Sequence, residues 1–357
     1  MKPYFVWIIS AIFLFNAALL IASYFLSQRS MQHYPAIGQL ICVDGVTMHV
    51  VDTGTPELVE NNDQQTDVPV VVLIHGASTS LLDFEKGIKQ HLAQNMRIIS
   101  IDRPGHGYSE RGNADAPALS ASSSTASAAN EEIALLDTPD PWTNPQRQAR
   151  LIAGALEALG AENSIWVGHS WAGSVVMAGL LKENVRAGVL LAGATHPWEG
   201  GSAWHVELAA TPIIGPLFSW QYIEPIGNLA LEGAIASVFA PEAVPDNYLE
   251  EMGVVLSLRP QTFQHNAQDL TRLSGYLEQQ SLEYGSIRQP ILSITGSKDT
   301  IVPAWNHDAR LALQVPQLQS VELEGAGHAL HHSRSREVEQ LIEAFVQSLP
   351  DSVGLSR

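Results

Sequence analysis

Short apolar runs rich in β-branched residues recur along this 357-residue chain, and stretches of helical spacing separate most of them. Residues 69–74, 97–101, 164–167, 187–191, 291–295 and 319–323 read as strands. Residues 81–94, 145–159, 172–181, 304–313 and 334–349 read as helices. A run without polar alternation suits a strand buried on both faces. Strands and helices alternating in this way predict a mostly parallel sheet with helices on both faces. A hairpin opens the series, because residues 39–43 and 46–52 flank the two-residue turn signal Asp44-Gly45. The polar, acidic stretch 53–67 after it reads as a surface loop.

Two stretches break the alternation. Residues 112–141 are rich in Ala, Ser, Asn and Pro and lack the apolar periodicity to bury themselves, so they are expected to be a disordered low-complexity insertion. Residues 195–289 show no clear strand, and instead place aromatic and aliphatic residues at helical spacing between prolines. They are expected to form a helical cap over the mouth of the sheet. The expected organisation is therefore a membrane segment at 1–30, a core in two parts at 38–194 and 290–350, and the cap at 195–289 between them.

From Tyr4 to Leu26 there is no charged residue. About 23 residues at about 1.5 Å each give a helix long enough to cross a hydrocarbon core of about 30 Å. A signal peptide would have a shorter apolar stretch ending in a small-x-small site, and none stands before Gln28. An uncleaved single-pass anchor is expected, with Lys2 on the cytoplasmic side and the rest of the chain exported. The net charge of −18 argues against a nucleic-acid partner, which would need clustered Lys and Arg. Cys42 is the single cysteine, so no intrachain disulfide forms.

The run Val167-Gly168-His169-Ser170-Trp171-Ala172-Gly173 places a serine between an apolar strand and a small-residue helix. Small residues at 168 and 172 let strand and helix approach while the Ser170 hydroxyl stays exposed, although the pattern G-x-S-x-G asks for glycine where Ala172 stands. A serine nucleophile needs a base, a carboxylate to orient the base, and donors for the oxyanion. Two further strands end suitably, 291–295 in a turn reaching Asp299 and 319–323 in a Gly-rich turn reaching His328. All three residues fall just past C-terminal strand ends, where open α/β sheets place their sites. Taken alone, Asp299 also fits a turn or helix cap, and His328 with His331 and His332 also fits a metal site. No carboxylate or cysteine cluster accompanies those histidines in the sequence, so no metal and no cofactor is expected.

With the motifs Leu73-Ile74-His75-Gly76-Ala77-Ser78 and Asp102-Arg103-Pro104-Gly105-His106-Gly107-Tyr108-Ser109 added, the chain resembles the α/β-hydrolase family, specifically its cap-bearing members. The resemblance runs from about Gln39 to Pro350. It implies an eight-stranded, mostly parallel sheet with the cap inserted after strand 6. It also implies Ser170 as nucleophile, His328 as general base and Asp299 as its orienting carboxylate, with the N–H groups of Ala77 and Trp171 as oxyanion hole. The Trp171 indole is expected to line the pocket, and His196, Trp198, Trp204 and Phe218 are its further candidates. His75, His106 and His169 are expected to be structural.

Cap-bearing relatives that open epoxides or remove halides use an aspartate nucleophile, since water must attack the enzyme's own carboxyl carbon. A serine ether would be inert to that step. Ser170 therefore points to acyl transfer, with a carboxylic ester of an apolar or lipid-like small molecule as the default substrate. Carbon–carbon bond hydrolysis and cofactor-free haloperoxidase or perhydrolase chemistry share the same three residues. A catalytically idle binding protein is the reading from a different class.

Overall fold

Every strand-length run pairs into one sheet in the computed structural model, which describes residues 3–56, 68–112 and 141–350. The strands are β1 (Gln39–Val43), β2 (Val46–Asp52), β3 (Val70–Ile74), β4 (Arg97–Ile101), β5 (Ser164–His169), β6 (Val185–Leu191), β7 (Ile291–Gly296) and β8 (Leu318–Leu323). Their spatial order is β1-β2-β4-β3-β5-β6-β7-β8. β1 and β2 pair antiparallel across Asp44 and Gly45, both at positive φ (+56° and +77°) as a two-residue hairpin turn needs. β2 lies antiparallel to β4, and every later pairing is parallel. The central strands β3 to β7 are buried on both faces, while the edge strands β1 and β8 are largely exposed. Trp166, Val176 and Leu151 share the core of one side, and Val71, Ile98 and Phe345 that of the other.

Helices α1 (Pro3–His33), α2 (Pro145–Ala158) and α3 (Gly173–Lys182) precede the helical layer. That layer lies between β6 and β7 and comprises α4 (Trp204–Ala209), α5 (Ile214–Phe218), α6 (Glu224–Phe239) and α7 (Pro260–Gln280). The eight-stranded sheet and the helical insertion after its sixth strand are as the sequence implied. α8 (Asp308–Gln314) and α9 (Ser335–Ser348) complete the fold.

Three segments depart from the periodicity. The helix expected over 81–94 is two short pieces, Leu82–Glu85 and Ile88–Leu92, because Gly87 takes non-helical angles (φ −116°, ψ −129°). α8 starts four residues later than expected. The preceding His307 is drawn instead toward the strand β6 exit, where its Nδ1 accepts from the N–H groups of Thr195 (3.1 Å) and His196 (3.2 Å). α1 continues past the uncharged run to His33, and its second half docks on the body. Ser27 and Ser30 donate to the buried Glu224 carboxylate of α6, and Tyr222 donates to Asn16 Oδ1 at 2.8 Å. The most apolar stretch of α1 is not buried by the rest of the chain. Its length and composition suit a membrane anchor or a signal sequence. The low-complexity insertion expected at 112–141 falls almost wholly outside the described residues, as do residues 57–67 of the loop after β2.

Candidate active site

Ser170 stands where β5 ends and a single 3-10 turn leads into α3. Its φ of +53° is the left-handed region, which costs a residue bearing a side chain about 1–3 kcal/mol. Surrounding contacts hold it there. Ala194 N–H, in the loop just past β6, donates to the Ser170 carbonyl at 2.9 Å. A Cβ at Gly168 would come within 2.6 Å of the Ala172 carbonyl, and one at Gly173 within 2.6 Å of Gly193 Cα. The close approaches therefore fall at 168 and 173. Ala172 has its methyl wholly buried in the core, which is why alanine is tolerated where the pattern asks for glycine.

The turn after β8 brings His328 to this serine, with Nε2 at 2.9 Å from Ser170 Oγ. The turn after β7 brings Asp299, whose Oδ2 lies 2.8 Å from His328 Nδ1. Its other oxygen accepts from the N–H groups of Ile301 (2.8 Å) and Val302 (3.0 Å), so the carboxylate is fixed on both sides. Burial pushes the Asp299 carboxyl up, but the hydrogen bond and charge of His328 and those two N–H groups outweigh it and hold it below the usual value. His169 packs its ring against His328 and donates from Nε2 to the His328 carbonyl at 3.2 Å. Burial, with His331 and His328 beside it, keeps His169 well below the ordinary histidine value and therefore neutral.

The Gly76-Ala77-Ser78 segment after β3 passes beside Ser170, since a Cβ at Gly76 would sit 3.1 Å from Ser170 Cβ. Ser78 (φ +59°) is pinned from the helical layer. Asn266 of α7 accepts its N–H at 2.8 Å and donates to its hydroxyl at 2.9 Å. Trp171 belongs to the core cluster beneath this segment, and the partly buried Ala77 packs against it.

The expected pocket residues separate. The Trp171 indole is engaged by its neighbours. It is buried, lies 4.2 Å under the Arg103 guanidinium, and donates from Nε1 to the Asp269 carbonyl at 3.2 Å. His196 is likewise buried, with Nε2 against Gln314 (3.0 Å), Nδ1 against Thr195 (2.9 Å) and its ring edge-on to Tyr284. Its two ring nitrogens are taken up by neighbours, which makes it a packed core histidine. Trp198 stands half-exposed with its backbone paired to Ser274, and Trp204, 72 % exposed, lies against Phe218 on the surface of the helical layer.

Several residues that shape the site carry no local sequence signal. Asp269 of α7 holds both Arg103 and Arg111 at 2.8 Å with all three side chains buried, tying the helical layer to the loop after β4. A buried arginine in that loop requires a carboxylate, and this requirement was the one available hint. Asp83 supplies the carboxylate missing from the sequence neighbourhood of His331 and His332, at 3.1 and 2.9 Å from their Nε2 atoms, with Tyr248 Oη at 3.2 Å. The three donors lie close enough together to hold an ion. Yet among the described residues the buried His331 Nδ1 meets no partner, whereas a metal-bound imidazole ordinarily donates its second N–H. The cluster therefore reads as a hydrogen-bonded strut under the His328 loop.

Residues 71–341 match the profile of the alpha/beta hydrolase family. Among similar proteins, a pimeloyl-[acyl-carrier protein] methyl ester esterase of Xanthomonas campestris pv. campestris is 25% identical over 287 residues, covering 79% of this chain and 96% of the relative. A 2-hydroxy-6-oxononadienedioate/2-hydroxy-6-oxononatrienedioate hydrolase of Burkholderia vietnamiensis is 22% identical over 305 residues, covering 84% of this chain and 94% of that one. The crystal structure of a membrane phospholipase A, a bacterial virulence factor, superposes with a TM-score of 0.57 at 15% identity and covers 99% of this chain and 100% of that one.

Proposed function

Because the chain belongs to the alpha/beta hydrolase family, we propose that it is a serine hydrolase that cleaves carboxylic esters of apolar or lipid-like molecules by acyl transfer. The observation that carries this reading is the continuous hydrogen-bonded line from Ser170 Oγ through His328 to Asp299, built on a strained turn. In the proposed reaction His328 Nε2 takes the Ser170 proton as Oγ attacks the ester carbonyl. The N–H groups of Ala77 and Trp171 receive the oxyanion, and His328 then protonates the departing alkoxide. Water activated by the same imidazole releases the acid. Asp299 fixes the imidazole tautomer and stabilises its charged form. Ester cleavage is preferred over carbon–carbon cleavage because an alkoxide departs from the tetrahedral intermediate without a ketone beside the scissile bond. The carbon–carbon reading draws its support from the Burkholderia relative.

We also propose that α1 is retained as a membrane anchor, with Lys2 cytoplasmic and the hydrolase body exported. What supports retention is its docking: removing α1 would strip Glu224 of both serine partners and Tyr222 of Asn16. A fluorophosphonate probe tests the chemistry. Wild type should label and Ser170→Ala should not; equal labelling of the two would overturn the nucleophile.

A further inference from the structure

A cavity of about 680 Å³ opens between α1, the loop after β4 and the start of α7. Its wall on the α1 side is Tyr24, Ser27, Gln28 and Met31. The uncharged run of α1 ends at Leu26 and the next charge is Arg29, so at about 1.5 Å per residue these side chains stand at the boundary between hydrocarbon and headgroups. Tyr24 and, across the cavity, Trp220 are both partly exposed, as aromatic residues at that boundary ordinarily are.

The opposite wall carries a positive charge that no carboxylate among the described residues pairs. Arg259 donates from Nε to the Leu256 carbonyl at 3.1 Å and from Nη2 to the Gly107 carbonyl, and lies 5.2 Å from the Tyr108 ring centroid. Among the described residues no carboxylate lies within ion-pair distance of it, whereas Arg103 and Arg111 share Asp269. Burial weakens its hold on its proton, and Glu224 and Asp102 act on it only from farther off. Their oxygens are engaged elsewhere, Glu224 by Ser27 and Ser30, Asp102 by His49 and the N–H groups of Leu81 and Tyr108. Among the described residues the single acidic one lining the cavity, Glu110, turns its Oε2 to the Thr47 N–H at 3.2 Å. Beside Arg259 the first turn of the 21-residue α7, Pro260 to Thr262, faces the cavity with no side-chain cap from Arg259. A helix N-terminus adds the field and donors that favour an anion. In a chain of net charge −18, a guanidinium left without a carboxylate at this depth calls for an anion from outside.

We propose that this cavity binds the phosphodiester of a glycerophospholipid from the same bilayer, with the phosphate on Arg259 and the first turn of α7 and the glycerol end against Tyr24, Met31 and Trp220. The site rests on the membrane placement of α1 proposed above and not on the chemistry of Ser170. The bound lipid would clamp the anchor to the body where the two meet.

The test uses the full chain in phosphate-free detergent solution and an ether-linked short-chain phosphatidylglycerol, which offers no carboxylic ester to cleave. Titration calorimetry should give saturable binding that Arg259→Gln weakens about tenfold or more, as loss of a charged hydrogen bond does, and that Arg259→Lys partly restores. Gln261→Glu, which suits a first helical turn and so does not lower the lipid-free melting temperature, should weaken binding similarly. Wild-type affinity in both Arg259→Gln and Gln261→Glu would overturn the site. So would equal binding of the phosphate-free dialkylglycerol. Glycerol phosphate binding as tightly as the lipid would replace the bilayer source with a soluble anion and overturn the lipid assignment. Release of the chain from membranes by alkaline carbonate would overturn the anchor itself, an outcome separable from loss of lipid binding.

Discussion

Ser170 is held in a backbone conformation that its side chain disfavours, so the residues paying the steric cost around it are as informative as the serine. Gly173 is the sharpest case. A methyl there would meet Gly193 Cα at 2.6 Å and Ala194 N at 2.9 Å, and that same Ala194 N–H holds the Ser170 carbonyl. Both neighbours are backbone, which cannot step aside as a flexible side chain can. Gly173→Ala is expected to cost about 1–3 kcal/mol in urea unfolding, the range for overpacking, and to lower probe labelling of the protein that remains folded. Full labelling of folded Gly173→Ala would show that the turn tolerates the shift. At Asp299 the expected loss is kinetic. Asp299→Asn keeps the shape but offers an N–H where His328 needs an acceptor, so turnover of a soluble ester should fall on the order of 10⁴-fold. Turnover within tenfold of wild type would point to a different orienting acid.

Between elements, the contact of α1 with α6 turns on one carboxyl. Burial pushes Glu224 up to about 7, with the hydroxyls of Ser27 and Ser30 opposing only in part. Its folded value thus lies above its unfolded one. Between about 4.5 and about 7 the unfolded chain releases this proton while the folded chain retains it, so this contact loses stability as pH rises through that window. Glu224→Gln keeps the hydrogen bonds without the charge. It should raise the melting temperature at pH 8 and leave it nearly unchanged at pH 4; an equal effect at both would exclude the titration. α7 makes the complementary connection, fastening the helical layer to the body through Asp269 and to the segment beside Ser170 through Asn266.

For the whole molecule, buried histidines set the acid limit. Burial holds His75, His196, His307 and His331 near 4, and His106 and His169 well below the ordinary value. Each has a depressed folded value, so as pH falls from about 6.5 toward 4 the unfolded chain binds protons that the folded chain refuses. Stability then falls by up to about 1.4 kcal/mol per pH unit for each such proton. His49 opposes this trend, because Asp102 overrides its burial. Cooperative loss of structure between pH 6 and 4, followed by circular dichroism, is the expected outcome. A melting temperature flat across that range would mean the histidines are solvated.

The strand and helix runs, the hairpin turn and the order Ser170, Asp299, His328 were legible in the sequence because each is a local pattern: side-chain period, turn residues, or a polar group at a strand end. Two boundaries were not, at Gly87 and before Asp308, where long-range contacts or a non-helical glycine override periodicity. Nor was the fate of the aromatic and imidazole side chains legible, since composition says that Trp171 and His196 are apolar-bodied but not which wall they meet. The sequence by itself determined the sheet and the points at which its chemistry-bearing residues leave it. Only the tertiary structure decided the distances among Ser170, His328 and Asp299, and the partners Asp83, Glu224, Asn266 and Asp269. The physical reason is burial: a polar group taken from water must find its counterpart wherever the fold brings one, at any distance along the chain.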